Sequence, residues 1–469
     1  MTFKLRDYQQ DLVDRVQAEW SAGNKRVLMQ LPTGGGKSVI FGAIAAQAVK
    51  EGKRVLAIAH REELVIQGQT HLSRQSGVDV GIIKAGYAPE PLYQVQMASV
   101  QSLVRRLDWS GHFDLVICDE AHHAPADTYQ KVLTYWPEAQ VLGVTATPIR
   151  GDGQGFDDLF DVLVCGPQVR SLIDDDYLSK FKLYADADPM TTKGVKTVRG
   201  DYNAKQLARA NKVEEVAASL IKSYREYAEG KRCIVFAINC EHSRGIAAAY
   251  NDAGIAAAHL DGNSADHERK EKIEAFRSGE IKVLSNVGLF TEGFDLPAIE
   301  ACQVARPTKS LALWLQMVGR ALRKSDGKDL AVILDHTENY LDHGLPNRRR
   351  VWLLEGVEDP DIRVSVGKNR EVEESEPEPI IESDRVLVEV EDEAENDILK
   401  EWQQVIHDLE KMQVERKYKP GWIQYKLIDL APPLEVWQAY GKMKGYKPGW
   451  AWHKHNAAQE AMGELAAAQ

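Results

Sequence analysis

Two stretches of this chain carry the residue types needed to handle a polyphosphate. The first reads Leu31-Pro32-Thr33-Gly34-Gly35-Gly36-Lys37-Ser38. It follows the apolar run Arg26-Val27-Leu28-Met29 and opens a helix-like run over residues 39–49. Successive glycines let the backbone curl until its N–H groups point at phosphate oxygens, and the helix behind them adds the positive end of its dipole. Thr33 belongs to the same loop. Lys37 would place its charge on the β- and γ-phosphates, and Ser38 would ligate Mg²⁺. Leu31 stands where the usual phosphate loop begins with glycine, so the pattern is met in part.

The second stretch is Val116-Ile117-Cys118-Asp119-Glu120-Ala121-His122. An apolar strand that ends in two carboxylates puts them at the carboxyl edge of a parallel sheet, where the phosphate loop also lies. Asp119 would hold Mg²⁺, directly or through water, and Glu120 would polarise an attacking water. Gly143-Val144-Thr145-Ala146-Thr147-Pro148 ends another strand. The hydroxyls of Thr145 and Thr147 could bond the acids and report the state of the nucleotide. Upstream, Gln9 lies 28 residues before Lys37. Its amide donates and accepts at once, as an adenine edge requires, although a solvated helix residue would look the same.

These residues need a sheet to hold them. Apolar strands over residues 53–59, 94–100, 115–118 and 140–144 alternate with helical patterns, which predicts an α/β fold with a parallel, doubly wound sheet. Residues 149–180 read as a connecting segment. A second α/β unit follows, with helices over 211–227, 242–253 and 269–277 and strands over 232–237, 256–260 and 281–285. It adds two chemical stretches. In Thr291-Glu292-Gly293-Phe294-Asp295, Gly293 permits close approach of a ribose and Asp295 can accept from its hydroxyls. Residues 316–323 read as a helix with Gln316, Arg320 and Arg323 on one face. Guanidiniums facing a phosphate loop suit transition-state charge, a service worth about 10³–10⁵ in rate where it is known.

At 469 residues the chain should hold two or three domains. No run of 18 apolar residues occurs, which excludes a membrane-spanning helix, and the N-terminal residues lack the apolar core of a signal peptide. Five cysteines without a C-x-x-C pair read as reduced core thiols of a cytoplasmic protein. The net charge of −12 is concentrated: residues 356–395 carry about −11, leaving a near-neutral remainder able to present a basic groove.

Taken in order, the motifs resemble those of the superfamily 2 helicases and translocases over roughly residues 5–345. Gln9 sits at the place of the adenine-reading glutamine, residues 31–38 at motif I, and Asp119-Glu120-Ala121-His122 is a DEAH form of motif II. Residues 59–64 with His60 and Arg61 resemble motif Ia, and residues 99–103 with Ser99 and Gln101 resemble Ib. Thr145-Ala146-Thr147, residues 235–237, 293–295 and 316–323 resemble motifs III to VI. Within the superfamily the chain looks closest to the branch of restriction-enzyme motors, UvsW-type phage proteins and RadD-like repair proteins, though it lacks the cysteine-rich tail of the last. The resemblance implies two RecA-like lobes, residues 1–165 and 166–355, with ATP and Mg²⁺ between them. It implies catalytic roles for Lys37, Glu120, Gln316, Arg320 and Arg323 and a coupling role for His122, Thr145 and Thr147. It further implies a single- or branched-strand DNA partner, with RNA an alternative, gripped by motifs Ia, Ib, IV and V in a monomeric motor.

Behind the acidic linker, residues 396–469 read as a small, mainly helical module. Tyr418-Lys419-Pro420-Gly421-Trp422 recurs as Tyr446-Lys447-Pro448-Gly449-Trp450. Aromatic faces interleaved with lysines, including Trp437 and Tyr440, suit stacked bases. They equally suit the core of a helical module or a docking site for a replication or repair protein. The expected activity is ATP-dependent unwinding of, or movement along, DNA in replication, recombination or repair. The alternatives are a remodelling motor that acts with a partner, and an ATP-gated clamp with little turnover.

Overall fold

The computed structural model describes residues 4–358 apart from 61, 89, 125–126, 151–153, 187, 199, 291–298 and 326, together with 387–389, 436, 437, 440 and 454. The chain divides into a unit Met1–Val390 and a second unit Glu391–Gln469. The first unit contains two α/β lobes.

Seven strands build the first lobe: β1 Arg26–Gln30, β2 Val55–Ala59, β3 Val80–Ile83, β4 Val95–Ser99, β5 Leu115–Asp119, β6 Gln140–Thr145 and β7 Val162–Cys165. Their order is β3-β4-β2-β5-β6-β1-β7, and every pairing is parallel. β2 and β4 are buried along their whole length, because helices cover both faces. One face packs Leu12, Val16, Ile40 and Ile44 against the sheet. The other packs Phe113, Val132, Phe156 and Phe160. β6 lies between β5 and β1, so Thr145 stands between the acids and the phosphate loop, opposite Gln30 in register.

The second lobe repeats the plan. β8 Lys180–Asp186 and a short ribbon, β9 Thr197–Val198 with β10 Asp201–Tyr202, precede β11 Cys233–Ala237, β12 Ala257–Leu260, β13 Val283–Asn286, β14 Ala301–Ala305 and β15 Leu330–Asp335. The sheet runs β12-β13-β11-β14-β15-β8 in parallel. A hairpin of β16 Val351–Leu353 and β17 Gly356–Glu358 follows, and β18 Leu387–Glu389 joins the edge of the large sheet antiparallel to β8.

Three expectations change. Residues 149–180 are more than a connection, since β7 extends the first sheet and Val169–Asp174 is a helix. Only a four-residue strand marks β7, too short for its pattern to stand out. The acidic segment 356–395 contains β17 and β18, whose backbones find partners despite the surrounding charge. Finally, Trp437 and Tyr440 are buried in the second unit and thus not offered to bases. The repeat residues Tyr418, Trp422, Tyr446 and Trp450 lie outside the described residues.

The five cysteines are free thiols, with Cys118, Cys233 and Cys302 buried in strands. Among the described residues no helix is long and apolar enough to cross a membrane.

The end of the second lobe returns to the first. Phe156 N–H donates to the Leu354 carbonyl at 2.6 Å. A Cβ on Gly155 would sit 2.1 Å from the Leu354 oxygen, so only glycine admits this crossing. Gly155→Ala should therefore displace the strand and destabilise the protein by about 1–3 kcal/mol, the usual cost of overpacking. Urea unfolding of the variant against the native chain measures it, and an unchanged midpoint would contradict the tight crossing.

Candidate active site in the interlobe cleft

The phosphate loop leaves β1 at Gln30 and enters the helix Lys37–Lys50. Gly34 and Gly36 have φ of 88° and 87°, the left-handed region open to glycine. The loop is also crowded. A Cβ on Gly36 would lie 2.5 Å from Gln9 Nε2, and one on Gly34 would lie 2.8 Å from Leu178 Cδ2 of the second lobe. Gly35 N–H donates to the Pro32 carbonyl, closing the turn.

The acids arrive on β5. Asp119 Oδ1 accepts the Glu120 N–H at 3.0 Å. Glu120 itself adopts φ 51°, ψ 55°, a left-handed conformation that costs a non-glycine residue on the order of 1 kcal/mol or more. It is buried, and its Oε2 makes no hydrogen bond, with His122 Nδ1 at 3.4 Å. Thr145 Oγ1 lies 3.5 Å from the same His122 nitrogen and accepts the Thr147 N–H at 3.2 Å. The three residues expected to couple nucleotide to movement are thus one cluster beside Glu120, with Thr145 and Thr147 buried and His122 half-buried.

The second lobe supplies the arginines. The helix Leu311–Ala321 presents Gly319 to the phosphate loop, where a Cβ would meet Thr33 Cβ at 2.8 Å. Arg320 is buried on this helix, as is Gln316, whose Nε2 has no hydrogen-bond partner. Arg323 departs from expectation. The helix ends at Ala321, and the Arg323 backbone bridges Leu178 in the antiparallel sense. The three residues therefore do not share one helix face; Arg323 reaches the cleft from the turn beyond it.

A cavity of about 730 Å³ joins these parts. Thr33, Gly34, Gly36, Lys37 and Ser38 line it from the loop, Asp119 and Glu120 from β5, and Arg320 and Arg323 from the second lobe. Burial holds the Lys37 ammonium below its ordinary pKa; Glu120 and Asp119 pull it up, while Arg320 and Arg323 push it further down. Lys37 Nζ lies 3.5 Å from the Leu31 carbonyl. Three cations crowd two carboxylates here, and the arrangement suits a ligand with several negative charges. The open glycine backbone, the unbonded Glu120 oxygen and the cationic excess fit a magnesium-bound nucleoside triphosphate. Among the described residues no cluster of three or more His, Cys, Asp or Glu side chains could hold a metal alone. This matches Mg²⁺, which typically uses one or two protein groups and substrate phosphates. Ser38 and Asp119, which both line the cavity, would be those groups here.

Other residues fall differently. Gln9 is 4% exposed and does not line the cavity. Its Oε1 accepts the Arg6 N–H at 3.1 Å and its Nε2 donates to the Gly35 carbonyl at 3.3 Å. In this arrangement it braces the loop, and reading an adenine would require exchanging those bonds. The His60 ring lies 4.1 Å from that of His123, which lies 4.2 Å from that of His122, both pairs tilted, linking the end of β2 to the ring beside Glu120. Ser99 donates to Gln101 at 2.8 Å, and Gln101 donates to the His60 carbonyl at 3.3 Å, so these three form one edge. Arg61, Gly293 and Asp295 lie outside the described residues. Sequence reasoning missed Arg6 and Tyr177, which line the cavity with the guanidinium 4.5 Å over the ring. Arg6 could have been noticed beside Gln9; nothing local marks Tyr177.

Residues 2–150 match the family described as the type III restriction enzyme res subunit, and residues 211–325 match the helicase conserved C-terminal domain. A 51.5 kDa protein of a Lactococcus phage is 35% identical over 325 residues, 69% of this chain and 68% of its own length. IRC3 of Saccharomyces cerevisiae, named provisionally as an ATP-dependent helicase, is 30% identical over 71% of this chain, which spans 51% of that protein. The DNA 3'-5' translocase XPB2 of Sulfurisphaera tokodaii is 27% identical, covering 74% of this chain and 84% of its own. A fragment of an HsdR type I restriction subunit from Vibrio vulnificus superposes with a TM-score of 0.58 at 22% identity, covering 73% of this chain and 66% of that one. With a phosphate loop and acids on one RecA-like lobe, arginines on the next, and these relatives along its length, the chain belongs to the superfamily 2 helicases, a family of ATP-hydrolysing motors.

Proposed function

We propose that this chain is a DNA translocase or helicase of the DEAH type, in the restriction-motor, UvsW and RadD-like branch, that hydrolyses ATP in the interlobe cleft. One observation carries the reading: Lys37, Asp119 and Glu120 of one lobe share a cavity with Arg320 and Arg323 of the other. A triphosphate bound there would be contacted from both sides, so its hydrolysis would change what holds the lobes together.

Lys37 and the loop N–H groups would hold the β- and γ-phosphates. Ser38 and Asp119 would hold Mg²⁺, which neutralises phosphate charge. Glu120 would accept the proton of the attacking water, its Oε2 already buried and without a hydrogen bond. Arg320 and Arg323 would take the charge that develops on the γ-phosphate, and Gln316 would orient them or the water. His122, Thr145 and Thr147 lie under Glu120 and would register loss of the phosphate. The chain His60, His123, His122 offers a route from the strand-binding edge to that glutamate. DNA is favoured as the partner by the similarity to XPB2 of Sulfurisphaera tokodaii, a DNA 3'-5' translocase. Its phosphates would cross His60, Ser99 and Gln101. A role in replication, recombination or repair, a monomeric state, a cytoplasmic location and a partner protein for the C-terminal module belong to the same proposal.

Lys37→Ala should abolish ATP turnover, and Arg323→Ala should keep ATP binding while lowering kcat by about 10³-fold. Normal turnover in either variant removes that residue from the mechanism. Steady-state ATPase measured with single-stranded DNA, duplex DNA and RNA, alongside Glu120→Gln, tests the substrate. Strong stimulation by DNA alone, lost in the variant, is the expected result. Equal stimulation by RNA would overturn the DNA assignment in favour of a general nucleic-acid motor.

A further inference from the structure

The turn that carries Arg323 has no helix to stiffen it, yet its guanidinium must reach the cleft. The helix before it ends at Ala321, and its last carbonyls lack intrahelical partners, as at any helix end. Lys328 fills that role. It is a buried residue five positions beyond Arg323, at the start of the approach to β15. Its ammonium donates to the Arg323 carbonyl at 2.8 Å and also to the Ala321 carbonyl. A cation on the negative end of a helix is placed where the dipole favours it. The rest of the turn is tied to the strand at the lobe boundary. Ser179 N–H donates to the Leu322 carbonyl at 2.8 Å, Ser179 Oγ lies 3.4 Å from the Arg323 carbonyl, and Leu178 bridges Arg323. The stem of Arg323 in turn lies against the phosphate loop, with its Cγ 3.3 Å from a Cβ placed on Gly34.

We propose that Lys328 is a positioning residue for ATP hydrolysis: its ammonium closes the carboxyl end of the arginine helix and fixes the Arg323 backbone, so that the guanidinium is held at the phosphates. The proposal rests on the reading of Arg323 given above. A lysine that merely filled a gap would have no reason to put its charge on the carbonyl of the very residue that faces the nucleotide.

Burial lowers the Lys328 pKa to about 8; Glu300 and the Cys302 thiol oppose this, and Arg232, paired with Glu300 at 3.2 Å, reinforces it. The clamp is charged below that pH and loses its charge as the pH rises through it. The native chain should therefore lose kcat on going from pH 7 to 9, with KM for ATP little changed.

The test compares native chain, Lys328→Met, Arg323→Ala and the double variant in steady-state Mg-ATP hydrolysis with single-stranded DNA, at pH 7 to 9. Lys328→Met should lower kcat by about 10- to 100-fold at pH 7, the effect of losing one or two charge-assisted hydrogen bonds. KM for ATP should stay within about twofold, and the alkaline fall should vanish. In the Arg323→Ala background Lys328→Met should have no further effect on kcat. An undiminished kcat in Lys328→Met, an equal further loss in the Arg323→Ala background, or a flat native profile from pH 7 to 9 overturns the proposal. The native profile needs no variant to fold. If Arg323→Ala alone leaves kcat intact, the reading of Arg323 has failed instead, and the two failures are distinguishable.

Discussion

The structure depends on seating side chains of each lobe against glycines of the other across a charged cleft. A Cβ on Gly319 would meet Thr33 at 2.8 Å, and one on Gly34 would meet Leu178 at 2.8 Å and Arg323 at 3.3 Å. Through these contacts the arginines of one lobe stand beside the lysine and carboxylates of the other. Burial in the cleft lowers the pKa of Lys37; Glu120 and Asp119 oppose the shift, and the like charges of Arg320 and Arg323 add to it. Such an arrangement suits a polyanion, whose charge would offset that of the cations lining the cleft. A ligand bound there would touch both lobes at once, as the proposed motor requires.

Sheet topology explains why so few residues suffice. In a parallel sheet all carboxyl ends lie on one edge, and loops leaving neighbouring strands converge. The order β5-β6-β1 puts the acids, Thr145 and the phosphate loop side by side, although they come from residues far apart in the chain. The cluster of His122, Thr145 and Thr147 follows from the same order. Strain is confined to Glu120, the one described position of this site where a side chain occupies the left-handed region.

The return of residues 345–356 to the first lobe adds a second tie between the lobes, where the Phe156 N–H donates to the Leu354 carbonyl at 2.6 Å. Within the second lobe Gln168 and Arg350 exchange backbone and side-chain hydrogen bonds, at 2.9 and 3.3 Å. Arg350 is buried, with its guanidinium donating to the carbonyls of His343, Leu345 and Arg348. Lobe movement must bend around or break this tie, so it bears on how far the cleft can open.

Sequence alone determined the α/β class, the two lobes, the phosphate loop and the acids, because each is written in adjacent residues. Glycine spacing sets a turn, an apolar run sets a strand, and a carboxylate at the strand end sets a site. Helices at 213–227 and 266–278 were legible in outline for the same reason, from apolar periodicity. Tertiary structure decided what depends on partners distant in the chain. Arg323 keeps a helical spacing from Arg320, yet it leaves the helix because Leu178 and Ser179 bind its backbone. Gln9 has the chemistry of a base reader, yet its amide is spent on Arg6 and Gly35 in this arrangement. Tyr177 and Lys328 carry no local mark, because their roles arise only when the second lobe folds against the loop and the helix end. Local pattern fixes which groups are present; which atoms they meet is settled by packing across hundreds of residues, where sequence spacing holds no information.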